Sequence, residues 1–562
     1  MPERLRGVLP LLAVLVLALL ALALGEYDLA PLLDPQEFAR AIGRAATFLS
    51  AFGAPELGSG FLATCVRLTL DTFAMAMAAT GIAIVLGLAL ALCTSHNVVL
   101  GESRGARRLV LQALCESARV VQDILRGVPD FAWAVILIAS LSLGPPAGVA
   151  ALALNVSGIL ARVYSELFDA VPARLLEPLR ASGATRLQTF CYGVVPACGS
   201  TLVSFTLLRW ECAVRNAAVI GAVNAGGLGS EIKRSLDYGE YSKVLTLLAC
   251  LLLLTVGSDL VSAFVRGRLA QDPDHPLARR GGERSPGAQR ASVFLLILVL
   301  VALWAWAMLH CHAAWWGNQS LEDRWQSTVQ LFGGLLAPDL SLLPRAFESA
   351  VVPLSMAFLG TLLAALGAAV LAYPASATFQ LLDAGFTGER ISGARRAVRA
   401  VLLAAARGVA IVSRSVPDVF WALLLVSFFR LGTMPGMVAL AIHSLGLLIR
   451  LFAEGADAVP LRRLEVVHAA SGSRAKTYLY GAIPPCASHW VANTFFQFES
   501  NVRSGIVLGI VGVQGLGFLF TATFEWFRMD QAGTYLLVMV LLSLGLDRLS
   551  RVLGLARARI QA

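Results

Sequence analysis

The sequence Arg-Gly-Val-Pro-Asp-Phe-Ala-Trp at residues 126–133 returns as Arg-Ser-Val-Pro-Asp-Val-Phe-Trp at residues 414–421, an offset of 288 in the numbering. Many further pairs keep this offset, among them Gly148 and Gly436, Arg162 and Arg450, Glu166 and Glu454, Pro172 and Pro460, and Tyr192 and Tyr480. Chance does not supply so many matches at one offset, so the chain contains two copies of one unit. We expect a first unit over residues 1–265 and a second over residues 291–562.

The composition indicates that both units lie in a membrane. The 562 residues are 57% hydrophobic and 14% charged, with a mean hydropathy of +0.72. Residues 8–25, 72–92 and 351–370 contain no charged side chain and are long enough for a helix to cross roughly 30 Å of hydrocarbon. We predict an all-α polytopic membrane protein with about six helices per unit, the first hydrophobic segment being retained as a helix.

The arginines indicate the orientation of the chain. Residues 266–290 are rich in Arg, Gly and Pro and predict a cytoplasmic linker, because Lys and Arg collect in cytoplasmic loops. The net charge of +9 therefore reflects topology and not a nucleic-acid partner. An even number of crossings per unit places both termini inside and makes the units parallel, related by a pseudo-two-fold axis along the membrane normal. The nine cysteines show no metal-ligand spacing, so no metal site is expected.

A charged loop occurs once in each unit. Residues 177–186 read Glu-Pro-Leu-Arg-Ala-Ser-Gly-Ala-Thr-Arg, and residues 465–472 read Glu-Val-Val-His-Ala-Ala-Ser-Gly. The first loop resembles the cytoplasmic EAA loop of ABC importer permeases, in which a short helix that ends at a glycine docks into the ATPase. Apart from the linker, the whole chain resembles the phosphonate family of these permeases. That resemblance also rests on the repeated Arg-x-x-Pro-Asp-x-x-Trp stretch, on Arg209–Arg215 and Phe498–Arg503, and on the glycine-rich turns at 225–229 and 513–517.

The resemblance implies a fold and a set of partners. The fold would be two type I, MetI-like transmembrane domains fused in one chain, in a bacterial plasma (inner) membrane. Two copies of an ATPase subunit would bind on the inside and hold the ATP and magnesium, so this chain would carry no cofactor. A substrate-binding protein would dock outside, and the cargo would be phosphonate, phosphite or phosphate.

The coupling residues follow from the same comparison. They are Glu177, Arg180 and Gly183 in the first loop and Glu465, His468 and Gly472 in the second. Glycine permits the sharp exit from the short helix, and the second loop carries one extra residue before its glycine, which predicts unequal ATPase contacts. An ordinary amphipathic helix at the membrane surface is the alternative.

Candidate path residues lie within hydrophobic helices. Glu211 and Arg215, like Glu499 and Arg503, are spaced i and i+4 and share a helix face. Charges in hydrocarbon are costly unless they are paired or face water, so we expect each acid to pair with its arginine and each arginine to meet a passing oxyanion. Asn501 is placed beside them. In the alternative, these pairs only hold helices together.

A second polar pair lies at matching positions of the two units. Asn155 and His443 stand among apolar residues and either line the path or form interhelix hydrogen bonds. Asp130 and Asp418 follow the prolines and are expected to cap the next helical segment. Gly227, Gly229, Gly515 and Gly517 are expected to form tight turns that shape a gate.

The motifs that are absent limit the function classes. The sequence contains no phosphate-binding GxxxxGK[ST] loop, no HExxH and no surviving Ser/His/Asp order, so the chain is not expected to be an enzyme or to hydrolyse ATP. Two other classes remain open: a twelve-helix secondary transporter driven by an ion gradient, and a membrane enzyme acting on lipid or phosphate esters. The first requires buried carboxylates away from the arginines, and the second requires a catalytic constellation.

Overall fold

The computed structural model describes residues 3–28, 34–52, 54–99, 105–141, 144–269, 298–311, 321–381 and 393–552. Every regular element within these ranges is helical. The helices up to the linker are α1 (Glu3–Leu24), α2 (Pro35–Phe52), α3 (Ser59–Thr94), α4 (His96–Val99), α5 (Ala106–Gly127), α6 (Asp130–Leu141), α7 (Pro145–Ala170), α8 (Ala173–Ala181), α9 (Arg186–Thr189), α10 (Val195–Ile220), α11 (Gly227–Asp237) and α12 (Tyr241–Leu269).

The helices after the linker repeat this order. They are α13 (Leu298–Cys311), α14 (Leu321–Leu335), α15 (Leu343–Ser349), α16 (Val351–Ala375), α17 (Ala377–Leu381), α18 (Gly393–Ser415), α19 (Asp418–Phe429), α20 (Thr433–Asp457), α21 (Leu461–Ser471), α22 (Arg474–Thr477), α23 (Ile483–Val507), α24 (Leu516–Glu525) and α25 (Met529–Val552). Single π-helical turns, Phe190–Val194 and Tyr478–Ala482, precede α10 and α23. The linker, residues 266–290, is helical up to Leu269 and otherwise lies outside the described residues.

Membrane-spanning helices make up most of the structure. Within the described ranges, seven helices are long and apolar enough to cross a bilayer, or up to nine if each sharply bent helix pair counts as one span. Three shorter apolar helices accompany them, at Val14–Leu24, Asp130–Ser140 and Leu298–Cys311. The chain is therefore a multi-pass, all-α membrane protein, as the sequence predicts. The number of six crossings per unit stays a prediction.

The chain forms two compact units that exchange their N-terminal helices. One unit combines residues 1–54 with 334–562, and the other consists of residues 55–333. Thus α1 and α2 pack with the second repeat, and α13 packs with the first. The sequence boundaries 1–265 and 291–562 describe the repeat and stay a prediction, because the compact units divide the chain elsewhere.

Specific contacts hold the exchanged helices. In the unit of residues 1–54 and 334–562, Tyr27 Oη donates to Ser355 Oγ at 3.3 Å, and Thr433 Oγ1 donates to the Glu26 carbonyl at 3.1 Å. Burial raises the pKa of the Tyr27 phenol to about 12, so it remains a neutral donor at neutral pH. In the unit of residues 55–333, His310 Nε2 lies 2.7 Å from Asp71 Oδ1.

Small residues allow the central helices to approach closely. In α3, Ala83 and Ala91 are fully buried in a cluster with Leu160 of α7. In α16, Ala364 and Ala372 are buried in the equivalent cluster with Phe452 of α20. Because lipid is as apolar as these side chains, close packing and not exclusion from water stabilises such contacts.

Two of the predicted gate glycines pack against another helix. A Cβ on Gly229 of α11 would overlap the Ala218 carbonyl oxygen of α10, and a Cβ on Gly517 of α24 would overlap the Ile506 carbonyl oxygen of α23. Gly227 and Gly515, which begin the turn into these helices, have φ of +73° and +152°. The four positions therefore require glycine for space or for backbone conformation.

We expect Gly229→Ala and Gly517→Ala each to lower the unfolding free energy of the purified protein by about 1–3 kcal/mol, seen as a lower thermal midpoint, because overpacking displaces the neighbouring backbone. Gly257→Ala and Gly545→Ala are matched controls, since both glycines lie within long helices with no atom within 4 Å of an added Cβ. Equal losses at all four positions would contradict the close approach.

Candidate functional site

A broken helix is the most conspicuous local feature of each repeat. Pro129 follows α5 and Pro417 follows α18, and the α18–α19 pair bends by 89°. Proline has no N–H, so the carbonyl four residues earlier loses its helical donor. The indole N–H of Trp133 donates to that carbonyl, Leu125, at 3.2 Å, and Trp421 donates to Ser413 at 3.2 Å. The spacing of Pro and Trp in the repeated stretch therefore has a structural cause.

A second carbonyl at each break is satisfied by the neighbouring helix. After the proline, the first backbone hydrogen bond runs from the Ala132 amide to the Pro129 carbonyl at 3.0 Å. The Val128 carbonyl therefore does not accept the Ala132 amide that a continuous helix would provide. Asn155 Nδ2 of α7 donates to Val128 O at 3.0 Å, and His443 Nδ1 of α20 lies 3.2 Å from Val416 O. Asn155 and His443 are thus placed as interhelix hydrogen-bonding residues. Contact with a substrate stays a prediction.

The acids after the prolines bond to the start of the next helix. The Phe131 amide donates to Asp130 Oδ1 at 3.0 Å, and the Val419 amide donates to Asp418 Oδ1 at 2.9 Å. The expected capping role was wrong in one respect: the N-cap of α19 is Pro417, which forms no side-chain cap bond, and each acid is instead the first residue of its helix, where a negative charge suits the helix dipole. Asn216 Nδ2 of α10 also donates to Asp130 Oδ2 at 2.7 Å, so the carboxylate ties α6 to α10.

The embedded ion pairs differ between the repeats. Glu499 Oε1 lies 3.3 Å from Arg503 Nη1, which confirms the pair expected within α23. The corresponding expectation in α10 was wrong: Glu211 Oε1 lies 3.0 Å from Arg266 Nη1 of α12. The Glu211 side chain is only 3% exposed, and a buried carboxylate takes a partner from whichever helix packs over it. Half-buried Arg215 instead places Nη2 3.9 Å from Cys212 Sγ.

Asn501 lies in a buried polar network that joins three helices. Its Nδ2 lies 2.8 Å from Thr361 Oγ1 of α16, and its Oδ1 accepts from Gln497 Nε2 and from Ser444 Oγ of α20, both at 3.0 Å. All four residues are buried, so the amide is satisfied inside the unit. At the offset of 288 the first repeat has Arg209, Val156 and Ala213, which do not reproduce this network.

The two coupling loops have the same anchoring and a different register. Leu176 of α8 and Leu464 of α21 are buried, whereas Glu177, Arg180 and Glu465 are exposed. Gly183 and Gly472 end their helices with φ of +83° and +65°. His468 is half-buried, and its Nδ1 lies 3.0 Å from Thr477 Oγ1 of the same loop.

The extra residue of the second loop is absorbed locally. The α21 helix has 11 residues and α8 has 9. In exchange, Ser473 caps α22 directly after Gly472, while Ala184 separates Gly183 from the capping Thr185. The following arginines, Arg186 and Arg474, consequently return to the common offset.

Four residues tie the ends of these loops to α4 and α17, and of these only Arg186 was noted in the sequence, as the last residue of the first loop. Asp169 Oδ1 accepts from Ser95 Oγ at 2.7 Å, and Asp457 accepts from Ser376 Oγ in the other unit. Arg186 Nη1 donates to the Val99 carbonyl at 3.1 Å, and Arg474 Nη1 donates to Phe379 O at 3.2 Å. Both pairs keep the offset of 288, so the repeat itself contained the signal.

These features define a class of protein. The chain is a membrane permease built from two repeats, each with a proline-broken helix, an embedded acid and a charged loop between long helices. Residues 109–271 and 391–556 both match the family model described as binding-protein-dependent transport system inner membrane component. Since these matches cover more than half of the sequence, the chain belongs to this family.

Individual relatives agree with the family. The chain is 26% identical over 500 residues to the phosphate-import permease protein PhnE of Mycolicibacterium smegmatis, covering 88% of this chain and 85% of the relative. It is 30% identical over 196 residues to the putative phosphite transport system permease protein HtxC of Stutzerimonas stutzeri, covering 35% and 66%. An inward-facing structure of the MetNI methionine ABC transporter gives 22% identity and a TM-score of 0.34, over 38% of this chain and 100% of that chain.

Trp133→Phe is expected to destabilise the protein by about 1–3 kcal/mol, because the Leu125 carbonyl would lose its donor in a non-aqueous environment. The measurement is a double-mutant cycle with Pro129→Ala, which restores a backbone N–H at position 129. In the Pro129→Ala background the cost of Trp133→Phe should fall. An equal cost in both backgrounds would show that the indole acts through packing alone.

Arg266→Gln is expected to destabilise the protein by about 3 kcal/mol, since it leaves the buried Glu211 carboxylate without its partner. Glu211→Gln should cost less, because the Arg266 side chain is 25% exposed. Both costs are measured as changes in unfolding free energy. The double variant should recover part of the loss. Arg215→Gln should leave the midpoint nearly unchanged. If Arg215→Gln destabilised the protein as much as Arg266→Gln, Arg215 would be the partner that matters.

Proposed function

We propose that this chain is the permease of an ATP-binding-cassette importer for a small phosphorus oxyanion: phosphonate, phosphite or phosphate. The observation that carries the proposal is the pairing of two equivalent permease repeats with similarity over 500 residues to a permease named for phosphate import. A permease named for phosphite transport also matches the chain. Fusion of the repeats means that one copy of the chain supplies both transmembrane halves.

ATPase subunits would bind the two coupling loops. Each loop exposes a carboxylate, Glu177 or Glu465, on a short helix fixed by one buried leucine. Pinning by Arg186 and Arg474 ties each loop to the end of α4 or α17, so a force on the loop would reach the long helices. We infer two ATPase copies on the cytoplasmic side, with both termini of this chain on the same side of a bacterial inner membrane.

The cargo would arrive from a binding protein on the opposite side. Arg215 and Arg503 are the candidate cationic donors, because a guanidinium matches the oxygens of an oxyanion and stays charged. Arg503 keeps its local acid at 3.3 Å, whereas Glu211 is bound to Arg266 instead. Arg215 is therefore less tightly neutralised within α10 and is the stronger candidate.

An ion-coupled secondary transporter is the competing function. It requires a buried acid that binds and releases a cation. Among the acids of the spanning helices, Glu211 and Glu499 contact arginines, which favours a fixed charge over a cation site at these two positions.

The test is uptake and ATP hydrolysis by the chain reconstituted with its ATPase and binding protein, using phosphate, phosphite and methylphosphonate in turn. Glu177→Ala with Gly183→Arg should abolish substrate-stimulated hydrolysis and uptake, because the variant removes the exposed acid and strains the helix exit. Glu465→Ala with Gly472→Arg tests the second loop in the same way. Asp237→Ala, an exposed acid on α11, serves as the control and should leave both activities intact.

Two results would contradict the proposal. Uptake driven by a proton or sodium gradient without ATPase would identify a secondary transporter. Full ATPase association and uptake in both loop variants would remove the mechanical basis of the importer.

A further inference from the structure

A cavity of about 670 Å³ lies between the end of α16 and the start of α18. Its walls include Val370 and Tyr373 of α16, Gln380 of α17, and Arg395, Val398 and Arg399 of α18. None of the described residues that line it is acidic. Its described lining includes no residue of the coupling loop and neither Glu499 nor Arg503, and the proposed importer function does not use it.

The described walls of this cavity carry two arginines and no acidic side chain. Arg395 and Arg399 are one helical turn apart, so both guanidinium groups lie on the same side of α18. Arg399 Nη1 is buried, and among the described residues it has no hydrogen-bond partner. A buried guanidinium donor without a partner is costly. A ligand with anionic oxygens would satisfy it.

An apolar track leads from the cavity along the outside of α16. Leu363, Leu366 and Val370 are spaced three and four residues apart, so they share one face, and they are 50%, 60% and 73% exposed. On α18, Val398 is 61% exposed and stands between the two arginines. Exposed apolar side chains on a membrane-spanning helix face lipid chains, so the track is continuous with the bilayer.

We propose that this cavity binds the head group of an anionic phospholipid, with the phosphate at Arg395 and Arg399 and an acyl chain along Leu363, Leu366 and Val370. A free phosphate ion would use the arginines but would leave the track uncovered. The combination of arginines and exposed apolar residues on one helix is also the pattern of a segment that lies at a lipid interface. Because α18 leads into the proline break, the lipid would bind where the broken helix begins.

The first repeat provides an internal comparison. At the offset of 288, Arg107 of α5 corresponds to Arg395, but Leu111 corresponds to Arg399. The second guanidinium is therefore absent from the equivalent place in the first repeat. Arg399→Leu installs a residue that the fold already accepts there, and Arg107→Gln is a matched loss of charge outside the proposed site.

The experiment is a lipid titration of the full-length protein, purified in neutral detergent and followed by native mass spectrometry. Phosphatidylglycerol and phosphatidylcholine with identical acyl chains are compared. The wild-type protein should bind its first phosphatidylglycerol more tightly than phosphatidylcholine by about tenfold to thirtyfold, from roughly 1 kcal/mol for each of two arginines. Arg395→Gln combined with Arg399→Leu should remove this preference, and Arg107→Gln should keep it. Unfolding midpoints of the variants confirm that each is folded.

Other outcomes would overturn the proposal. If the double variant kept the preference, or if Arg107→Gln lost it equally, the lipid would be held by general surface charge. Displacement of the bound phosphatidylglycerol by millimolar inorganic phosphate would identify a site for the free anion. Equal affinity for phosphatidylcholine would leave only an apolar groove. None of these results depends on which oxyanion the permease transports.

Discussion

In each repeat, two backbone carbonyl groups at the proline break need hydrogen-bond donors from elsewhere, and the packing around the break depends on those donors. A proline breaks a helix inside the membrane, where no bulk water is present to bond the freed oxygens. Trp133 and Trp421 satisfy one carbonyl from the far side of the break, and Asn155 and His443 satisfy the other from the neighbouring helix. The bend is therefore held by specific donors, and the helices that supply them are fixed relative to it.

The two repeats solve this common problem and then diverge. The proline break recurs in both repeats. So do the aspartate that accepts a serine hydrogen bond, Asp169 or Asp457, and the arginine that ties each loop to a short helix, Arg186 or Arg474. The embedded acid takes different partners, and the buried amide network around Asn501 is not reproduced by the corresponding residues of the first repeat. The donors to the free backbone carbonyls occupy matching positions in both repeats. The ion-pair partners of the embedded acids do not.

The sequence predicted the features that rest on local spacing and failed where a partner came from a distant helix. The repeat, the helical membrane fold, the broken helices and the glycine turns follow from offsets, hydrophobic length and residue type. The Glu211 partner was wrong because i, i+4 spacing only describes one helix, whereas Arg266 reaches over from α12. The exchange of N-terminal helices was missed for a related reason: an offset shows which segments correspond, and says nothing about which copy they pack against.

That exchange affects the order in which the protein is made. The hydrogen bond from Thr433 to the Glu26 carbonyl can form only after another 407 residues have been synthesised. At roughly 5–20 residues per second of synthesis, α1 spends about 20–80 seconds in the membrane before its packing surface exists. During that interval residues 55–333 are completed, so α1 is synthesised before the helices of residues 55–333 and acquires its packing partners after them.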